Sequence, residues 1–172
     1  MSSARCVKAR GTSNSCYETV LSRVVQILHQ HNRHNLELIL NAEGTKDVKH
    51  VVDIDGGLTD FAAILGVERS IGPNDSIQLL EDVCRSHVFI TAKSGFSHFT
   101  ALLCDDTFVM AVPFWHSYKN LPNAIVLNEI PDYTVLYLPG KNISIPGENI
   151  SIPCFTVSEE QTIAGLRSFK LI

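Results

Sequence analysis

The chain has 172 residues, which fits one domain of ordinary size with a sizeable buried core. Hydrophobic residues make up 45% of the chain and charged residues 19%, a balance that excludes intrinsically disordered and fibrous classes. The chain has 14 Lys and Arg residues and 18 Asp and Glu residues, a formal charge of -4. A negative chain does not attract a phosphate backbone, so we expect no nucleic-acid partner.

The first half of the chain predicts alternating helices and strands. Residues 1–15 are mostly small, polar and basic, which indicates a frayed segment outside the domain. Apolar residues recur every three to four positions over 17–31 and predict a helix. The next predicted elements are a buried strand over 36–40, a turn over 41–44, a strand over 48–54, a break at Gly56 and Gly57, and a short helix over 58–65.

The second half continues this alternation up to about residue 112. Asp75 or Ser76 is the expected N-cap of a helix over 77–85, because the side-chain oxygen of either accepts the first free backbone N–H groups. Strands that alternate with helices through short loops predict right-handed βαβ units and a mainly parallel sheet. The remaining predicted elements are a strand over 87–91, a loop over 92–95, a helix over 96–104 and a strand over 107–112.

Beyond residue 113 the pattern loosens into a predicted irregular tail. A strand-like stretch lies at 133–138, and the sequence Asn-Ile-Ser-Ile-Pro at 142–146 returns at 149–153. Two copies are too few for a solenoid, so the duplication indicates a loop or an edge strand. The predicted fold class is α/β: a Rossmann-like three-layer domain with a mainly parallel sheet over 16–130, followed by an irregular C-terminal extension over 131–172.

Cysteine spacing and apolar runs bear on metal sites and on membranes. The cysteines form no CxxC pair and no Cys/His metal spacing, so we expect mostly reduced, buried thiols and no metal. The longest apolar stretches are strand-sized and predict no membrane segment. Asn-X-Ser sequons at three asparagines count only in a secretory lumen, and the compartment stays open. The residues concerned are Cys6, Cys16, Cys84, Cys104 and Cys154, and Asn74, Asn142 and Asn149.

The most informative stretch is VFITAKSGFSHFTALL at residues 88–103. A buried strand ends there in a small, hydroxyl-rich loop, and a helix opens with its N–H groups and positive dipole end facing outward. At the carboxyl end of a parallel strand, such a loop suits a diphosphate, with hydroxyl groups from Ser94 and Ser97 and a charge from Lys93. Plain N-capping by Ser94 or Ser97 explains the same pattern equally well.

Residues 75–104, and 88–103 in particular, resemble the donor-binding segment of two-Rossmann-domain (GT-B type) glycosyltransferases related to the fucosyltransferases. Two flanking stretches agree in order and spacing. LILNAEG at 38–44 is similar to the family's strand ending in Ser-Glu-Gly, and VPFWH at 112–116 resembles its Phe-Trp-His loop. The resemblance covers about residues 16–120 and implies the nucleotide-sugar-binding, C-terminal half of such an enzyme.

This resemblance also implies partners and residue roles. The partners are a nucleotide sugar, with GDP-fucose as one expected donor, and a glycan or other hydroxyl acceptor. Hydroxyls, N–H groups and a helix dipole stabilise a departing diphosphate without metal, so no cofactor is expected, and no catalytic residue is assigned. The implied residues are Lys93, Ser94, Gly95, Phe96, Ser97 and His98 on the diphosphate, Glu43, Gly44 and Asp75 on the nucleotide side, and Trp115 and His116 on a sugar or acceptor loop.

Two departures from the family keep other functions open. The family carries an upstream His-X-Arg-X-Gly-Asp element whose Arg neutralises the leaving diphosphate, and nothing before Tyr17 reproduces it. A separate acceptor-binding half does not fit in the residues before Cys16. A partial or inactive copy and a non-catalytic nucleotide- or glycan-binding domain are therefore alternatives.

A further alternative comes from VVDIDGGLTD at 51–60, which resembles the first motif of haloacid-dehalogenase-like phosphatases. In such an enzyme Asp53 would attack phosphorus and Asp55 would handle the leaving-group proton. Thr91 would then be the second motif and Asp105-Asp106 the acidic pair that holds magnesium. The order fits poorly, because the family's lysine stands between these two motifs as a separate element, and Lys93 is too close to Thr91 to supply one. A plain strand-to-helix turn is the simpler interpretation of the same residues.

Overall fold

The structure, a computed structural model, describes residues 12–40, 50–52, 57–71, 75–114, 118–130 and 154–172. Its helices are α1 (Asn14–Gln30), α2 (Phe61–Leu65), α3 (Ser76–Arg85), α4 (Gly95–Leu103) and α5 (Glu159–Ser168). Its strands are β1 (Glu37–Leu40), β2 (Val51–Val52), β3 (Leu58–Thr59), β4 (Glu68–Ile71), β5 (Val88–Ile90), β6 (Phe108–Ala111), β7 (Ala124–Val126), β8 (Asn128–Ile130) and β9 (Cys154–Thr156).

Helix α1 forms where the apolar periodicity predicts it and begins three residues earlier than residue 17, at Asn14. The earlier start has a local cause, because the Ser13 hydroxyl accepts a hydrogen bond from the Ser15 N–H at 3.3 Å and caps the helix. The Asn14 side chain also donates to the Val51 carbonyl at 2.9 Å, which fixes α1 against β2. The buried residues of α1 are Asn14, Cys16, Val20, Val24 and Ile27.

The strands form small sheets, and the described sheet with the most strands is parallel. Among the described residues β5, β6 and β7 form a three-stranded parallel sheet, and β1 pairs with β4 in parallel. β2 pairs with β3, and β8 with β9, in antiparallel fashion. The fold is therefore mixed α/β with small parallel sheets.

The core surrounds β6, the middle strand of the parallel sheet, all of whose residues are buried. Side chains alternate between the two faces of a strand, so Phe108 and Met110 join the cluster that includes α1 and α5. Val109 and Ala111 join a second cluster with Ala101 of α4. Helices consequently pack on both faces of this sheet.

The prediction of an irregular tail is wrong for residues 154–172. Strand β9 pairs with β8, and α5 packs against β7 and α1. Phe155 and Leu166 are buried in the same core as α1. The usable sequence signal was Ser158 followed three residues later by Gln161, a capping-box spacing; the Ser158 hydroxyl accepts from the Gln161 N–H at 3.4 Å. Residues 133–138 and the duplicated pentapeptide lie outside the described residues.

Several other elements differ from their predictions. The helix expected over 58–65 begins at Phe61, because Asp60 caps it and accepts from the Ala63 N–H at 3.1 Å, while 58–59 pair with β2 instead. Strands β4, β7 and β8 were not predicted. β4 reads Glu-Arg-Ser-Ile, so its pairing with β1 rather than an apolar pattern makes it a strand. The turn at 41–44 lies outside the described residues.

The expectation of mostly reduced cysteines is wrong for four of the five. Cys16 is bonded to Cys154 and Cys84 to Cys104, with Cα–Cα distances of 5.5 and 4.7 Å. The partners are 138 and 20 residues apart, so no local spacing could reveal them. The first disulfide joins the start of α1 to β9, and the second joins the C-terminal ends of α3 and α4. Cys6 lies outside the described residues.

Candidate functional site

The candidate site lies at the carboxyl edge of the β5-β6-β7 sheet. β5 ends at Ile90, and a loop over 91–94 leads directly into α4 at Gly95. The Thr91 N–H donates to the Met110 carbonyl at 3.1 Å, and the Thr91 hydroxyl accepts from the Val112 N–H at 2.9 Å. These bonds extend the pairing of β5 with β6 and hold the loop at the edge where open parallel sheets bind ligands.

Ser94 and Ser97 build the loop by hydrogen-bonding to each other and to the backbone. The Ser94 hydroxyl oxygen accepts from the Ser97 N–H at 3.0 Å and its proton goes to the Ser97 hydroxyl oxygen, also at 3.0 Å. The Ser97 hydroxyl oxygen in turn accepts from the Ala92 N–H at 3.2 Å. Ser94 therefore caps α4, which is the structural interpretation of the pattern, while the Ser97 hydroxyl holds the loop through Ala92, and together they fix the path of the chain around Gly95.

Two backbone N–H donors at the start of α4 have no acceptor among the described residues. The N–H groups of Gly95 and Phe96, at the first two helical positions, make no hydrogen bond within the described part of the chain, and both residues are exposed. The positive end of the helix dipole adds to them. Together they form an exposed pair of donors suited to the oxygen atoms of an anion.

Lys93, two residues before Gly95, adds a positive charge to the same loop. The residue is only 7% exposed, and within the described ranges its ammonium group has no carboxylate within 4 Å. Burial lowers the pKa of Lys93, and the more distant Glu129 carboxylate on β8 offsets part of that effect. A buried lysine without an ion pair is costly, so an anion placed next to it would be stabilised and would restore the pKa of the ammonium group.

Two tyrosines flank Thr91, one on each face of the sheet. The Tyr17 hydroxyl of α1 donates to the Thr91 carbonyl at 3.5 Å, and burial raises the pKa of Tyr17 to about 12. Burial also raises the pKa of Tyr118, and the neighbouring Thr91 hydroxyl offsets part of the rise. Among the described residues the Tyr118 hydroxyl is buried without a hydrogen-bond partner.

His98 lies in the first turn of α4 and is held by aromatic packing. Its ring meets the ring of Tyr118 edge to face, with centroids 4.7 Å apart and planes at 77°. Tyr118 is 2% exposed and belongs to the core cluster beneath α4. This packing ties the position of the His98 ring, and with it the first turn of α4, to the buried side of the sheet.

No family model, curated protein or solved structure matches the chain. The site is therefore defined by its own geometry. Among the described residues no group of three or more His, Cys, Asp or Glu side chains is arranged to hold a metal ion. None of the helices in the described ranges is long and apolar enough to span a membrane.

The structure brings together the residues of 93–98 and leaves the other predicted site residues elsewhere or outside its description. Asp75 caps α3, where its carboxylate accepts from the N–H groups of Ile77 at 3.0 Å and Gln78 at 2.8 Å. This confirms the capping prediction for Asp75, and its nucleotide-side role stays a prediction. The predicted residues outside the described ranges are Glu43, Gly44, Asp53, Asp55, Trp115 and His116.

Sequence reasoning missed both tyrosines of the site. Tyr17 was used only as the start of a helix, and Tyr118 follows the VPFWH stretch without a motif of its own. Their approach to Thr91 depends on the packing of α1 and of the chain after β6 on opposite faces of the sheet. A buried tyrosine usually finds a partner for its hydroxyl, and that general tendency was the only signal available in the sequence.

Proposed function

We propose that this chain is a glycosyltransferase-like protein that binds a nucleotide diphosphate sugar, such as GDP-fucose, and transfers the sugar to an acceptor hydroxyl. The domain would correspond to the Rossmann-like, three-layer donor half of a GT-B type enzyme. One observation carries this proposal: Lys93, buried and without an ion pair among the described residues, belongs to the loop that leads into α4, whose first two N–H groups make no hydrogen bond within the described part of the chain.

The charge of the site supports a diphosphate as its ligand. Transfer of a sugar leaves negative charge on the departing diphosphate, and groups already aimed at that charge lower the barrier. Lys93 can supply the charge, and the N–H groups of Gly95 and Phe96 can supply hydrogen bonds. On this assignment Lys93 takes the charge-neutralising role that the resemblance gives to an upstream Arg, whose motif does not occur among residues 1–16.

The serines have a supporting role in this proposal. The Ser97 hydroxyl accepts hydrogen bonds from both Ala92 and Ser94, which leaves only its own proton to donate. The Ser94 proton is already donated to Ser97. Removing these hydroxyls would therefore disturb the shape of the loop first, so Lys93 is the better position at which to test ligand binding.

The test is calorimetric titration of the purified chain with GDP, UDP and their sugar conjugates, with and without magnesium. We expect saturable binding that Lys93→Met weakens by about 10- to 100-fold, the usual loss for a hydrogen bond to a charged group. Lys119→Met, at an exposed lysine, is the matched control and should leave the affinity unchanged. Absence of binding by the folded wild-type chain would contradict the proposal.

A transfer assay separates the enzyme from the non-catalytic alternative. If the chain binds a nucleotide sugar, incubation with hydroxyl acceptors should release the nucleoside diphosphate, and Lys93→Met should slow this release. Binding with no release for any acceptor would favour a nucleotide-sugar-binding domain without activity. Phosphate release that depends on Asp53, tested by Asp53→Asn, would favour the phosphatase alternative.

A further inference from the structure

The outward face of α4 carries large apolar side chains that the described fold leaves uncovered. Phe96, Phe99, Leu102 and Leu103 are 40, 53, 48 and 51% exposed. The inward face of the same helix packs on the sheet through small residues, Ser97, Thr100 and Ala101. A helix that only covers a sheet usually has the opposite pattern, with large residues inside and polar ones outside.

The spacing of the exposed residues suits a partner helix. Phe96, Phe99 and Leu103 are separated by three and then four positions, the alternation at which knobs of one helix enter holes of another. Leu102 lies beside Phe99 and widens the stripe. The outward face of α4 therefore has the form of a short helix-pairing seam.

The charge of α4 favours a second copy of the same chain as the partner. The nine residues of the helix, GFSHFTALL, include no Lys, Arg, Asp or Glu. Two copies that pair through a shared face bring identical residues together, so a charged face would repel itself. Two uncharged α4 faces do not repel each other, and an uncharged face has no electrostatic attraction for a charged partner.

The exposed apolar area approaches what a two-fold pair needs. A whole aromatic side chain buries about 150 to 250 Å², so the exposed parts of Phe96 and Phe99 amount to roughly 200 Å². With the two leucines the patch reaches about 350 Å², the size of the largest apolar patch on a typical monomer, which is often functional. Two such patches pressed together bury about 700 Å² of apolar surface, close to the roughly 900 Å² of nonpolar area in a standard interface.

We propose that two copies of this chain associate through the outward faces of their α4 helices, about a two-fold axis, with Phe99 near the centre of the contact. The association does not depend on nucleotide-sugar binding. It would, however, place the exposed side chain of Phe96, in the first turn of α4, at the rim of the dimer interface.

The test is the mass of the full chain in solution, measured by sedimentation equilibrium over a concentration series. We expect the wild-type mass to rise from 19.0 kDa and level off at twice that value. Phe99→Glu should raise the dimer dissociation constant by about 100-fold, since it places two like charges at the centre of an apolar contact. Ile64→Glu alters a similarly exposed residue on α2, 50% exposed, and should leave the mass unchanged.

A charge-rescue experiment distinguishes the proposed pairing from a folding defect. Phe99→Glu and Phe99→Lys should each be monomeric and melt like the dilute, monomeric wild-type chain, and mixing them should restore the doubled mass. A wild-type chain that stays at 19.0 kDa up to a few hundred micromolar would overturn the proposal. So would a dimer that survives Phe99→Glu, or a mass that keeps rising with concentration instead of levelling off.

Discussion

Replacing Gly165 by alanine tests the packing of the C-terminal helix directly. A Cβ added at Gly165 on α5 would overlap the ring of Phe108 on β6. That ring has little room to move, because Phe108 is 2% exposed within the main core cluster. In an open helix the same change stabilises by up to about 1 kcal/mol, whereas overpacking a core costs about 1 to 3 kcal/mol. We expect a net loss of about 1 to 2 kcal/mol in the free energy of unfolding, or about 3 to 6 °C in Tm.

The assay is chemical denaturation followed by circular dichroism under non-reducing conditions. Ala164→Gly, at the adjacent exposed position of α5, is the propensity control and should cost about 1 kcal/mol without any clash. In a Phe108→Leu background the cost of Gly165→Ala should shrink, because the shorter side chain leaves space for the new Cβ. If Gly165→Ala stabilises the chain, as helix propensity alone predicts, the close packing of α5 on β6 is refuted.

Three further predictions follow from the described contacts. Mass mapping of the unreduced chain should find both disulfides. Loss of the disulfide between Cys16 and Cys154, which are 138 residues apart, should lower the free energy of unfolding by about 4 to 5 kcal/mol. Free thiols at all four positions, in protein purified from an oxidising compartment, would contradict the pairing. Burial raises the pKa of Tyr17 from 10.0 to about 12. The stabilisation of the folded state by its neutral hydroxyl is therefore fully present below pH 10 and is lost as the pH rises through 12. The loss is at most about 2 to 3 kcal/mol, and Tyr17→Phe should remove this pH dependence in urea denaturation; parallel pH profiles for both chains would refute it. Asp75→Ala should cost about 1 kcal/mol by uncapping α3 while Asp75→Asn costs far less, and equal losses would refute capping as the cause.

The elements that the sequence predicts well are those with local signals. Helix α1 follows from its apolar period, and α3 from its period and the Asp75 cap. β5 and β6 follow from their apolar runs. These features depend on neighbouring residues, so a single sequence contains them.

The elements that were missed depend on distant partners. β4 and β8 are polar and become strands only by pairing with β1 and β9. The disulfide between Cys16 and Cys154 joins the two ends of the described chain and has no local spacing to read. Long-range pairings of this kind are set by tertiary packing, which periodicity does not encode.

The candidate site shows the same division. The loop, the helix start and Lys93 were predicted from local order of strand, glycine and serine. The sequence could not decide whether the Ser94 and Ser97 hydroxyls bind a ligand or the backbone. In the structure the Ser94 hydroxyl accepts from the Ser97 N–H and the Ser97 hydroxyl accepts from the Ala92 N–H. The sequence also could not show that Lys93 is buried, nor that Tyr17 and Tyr118 approach Thr91 from opposite faces.

The measurement that tests the proposed site most directly compares Gly95→Pro with Gly95→Ala in GDP titrations. Proline suits the first position of a helix, and Ser94 already has the extended conformation that a following proline requires, with φ -142 and ψ 151, so this change removes one N–H donor and keeps α4 intact. Alanine keeps the N–H. We expect Gly95→Pro to weaken GDP binding by about 10-fold or more, while Gly95→Ala stays near the wild type. Equal affinities for the two variants would show that the backbone at the start of α4 does not hold the diphosphate.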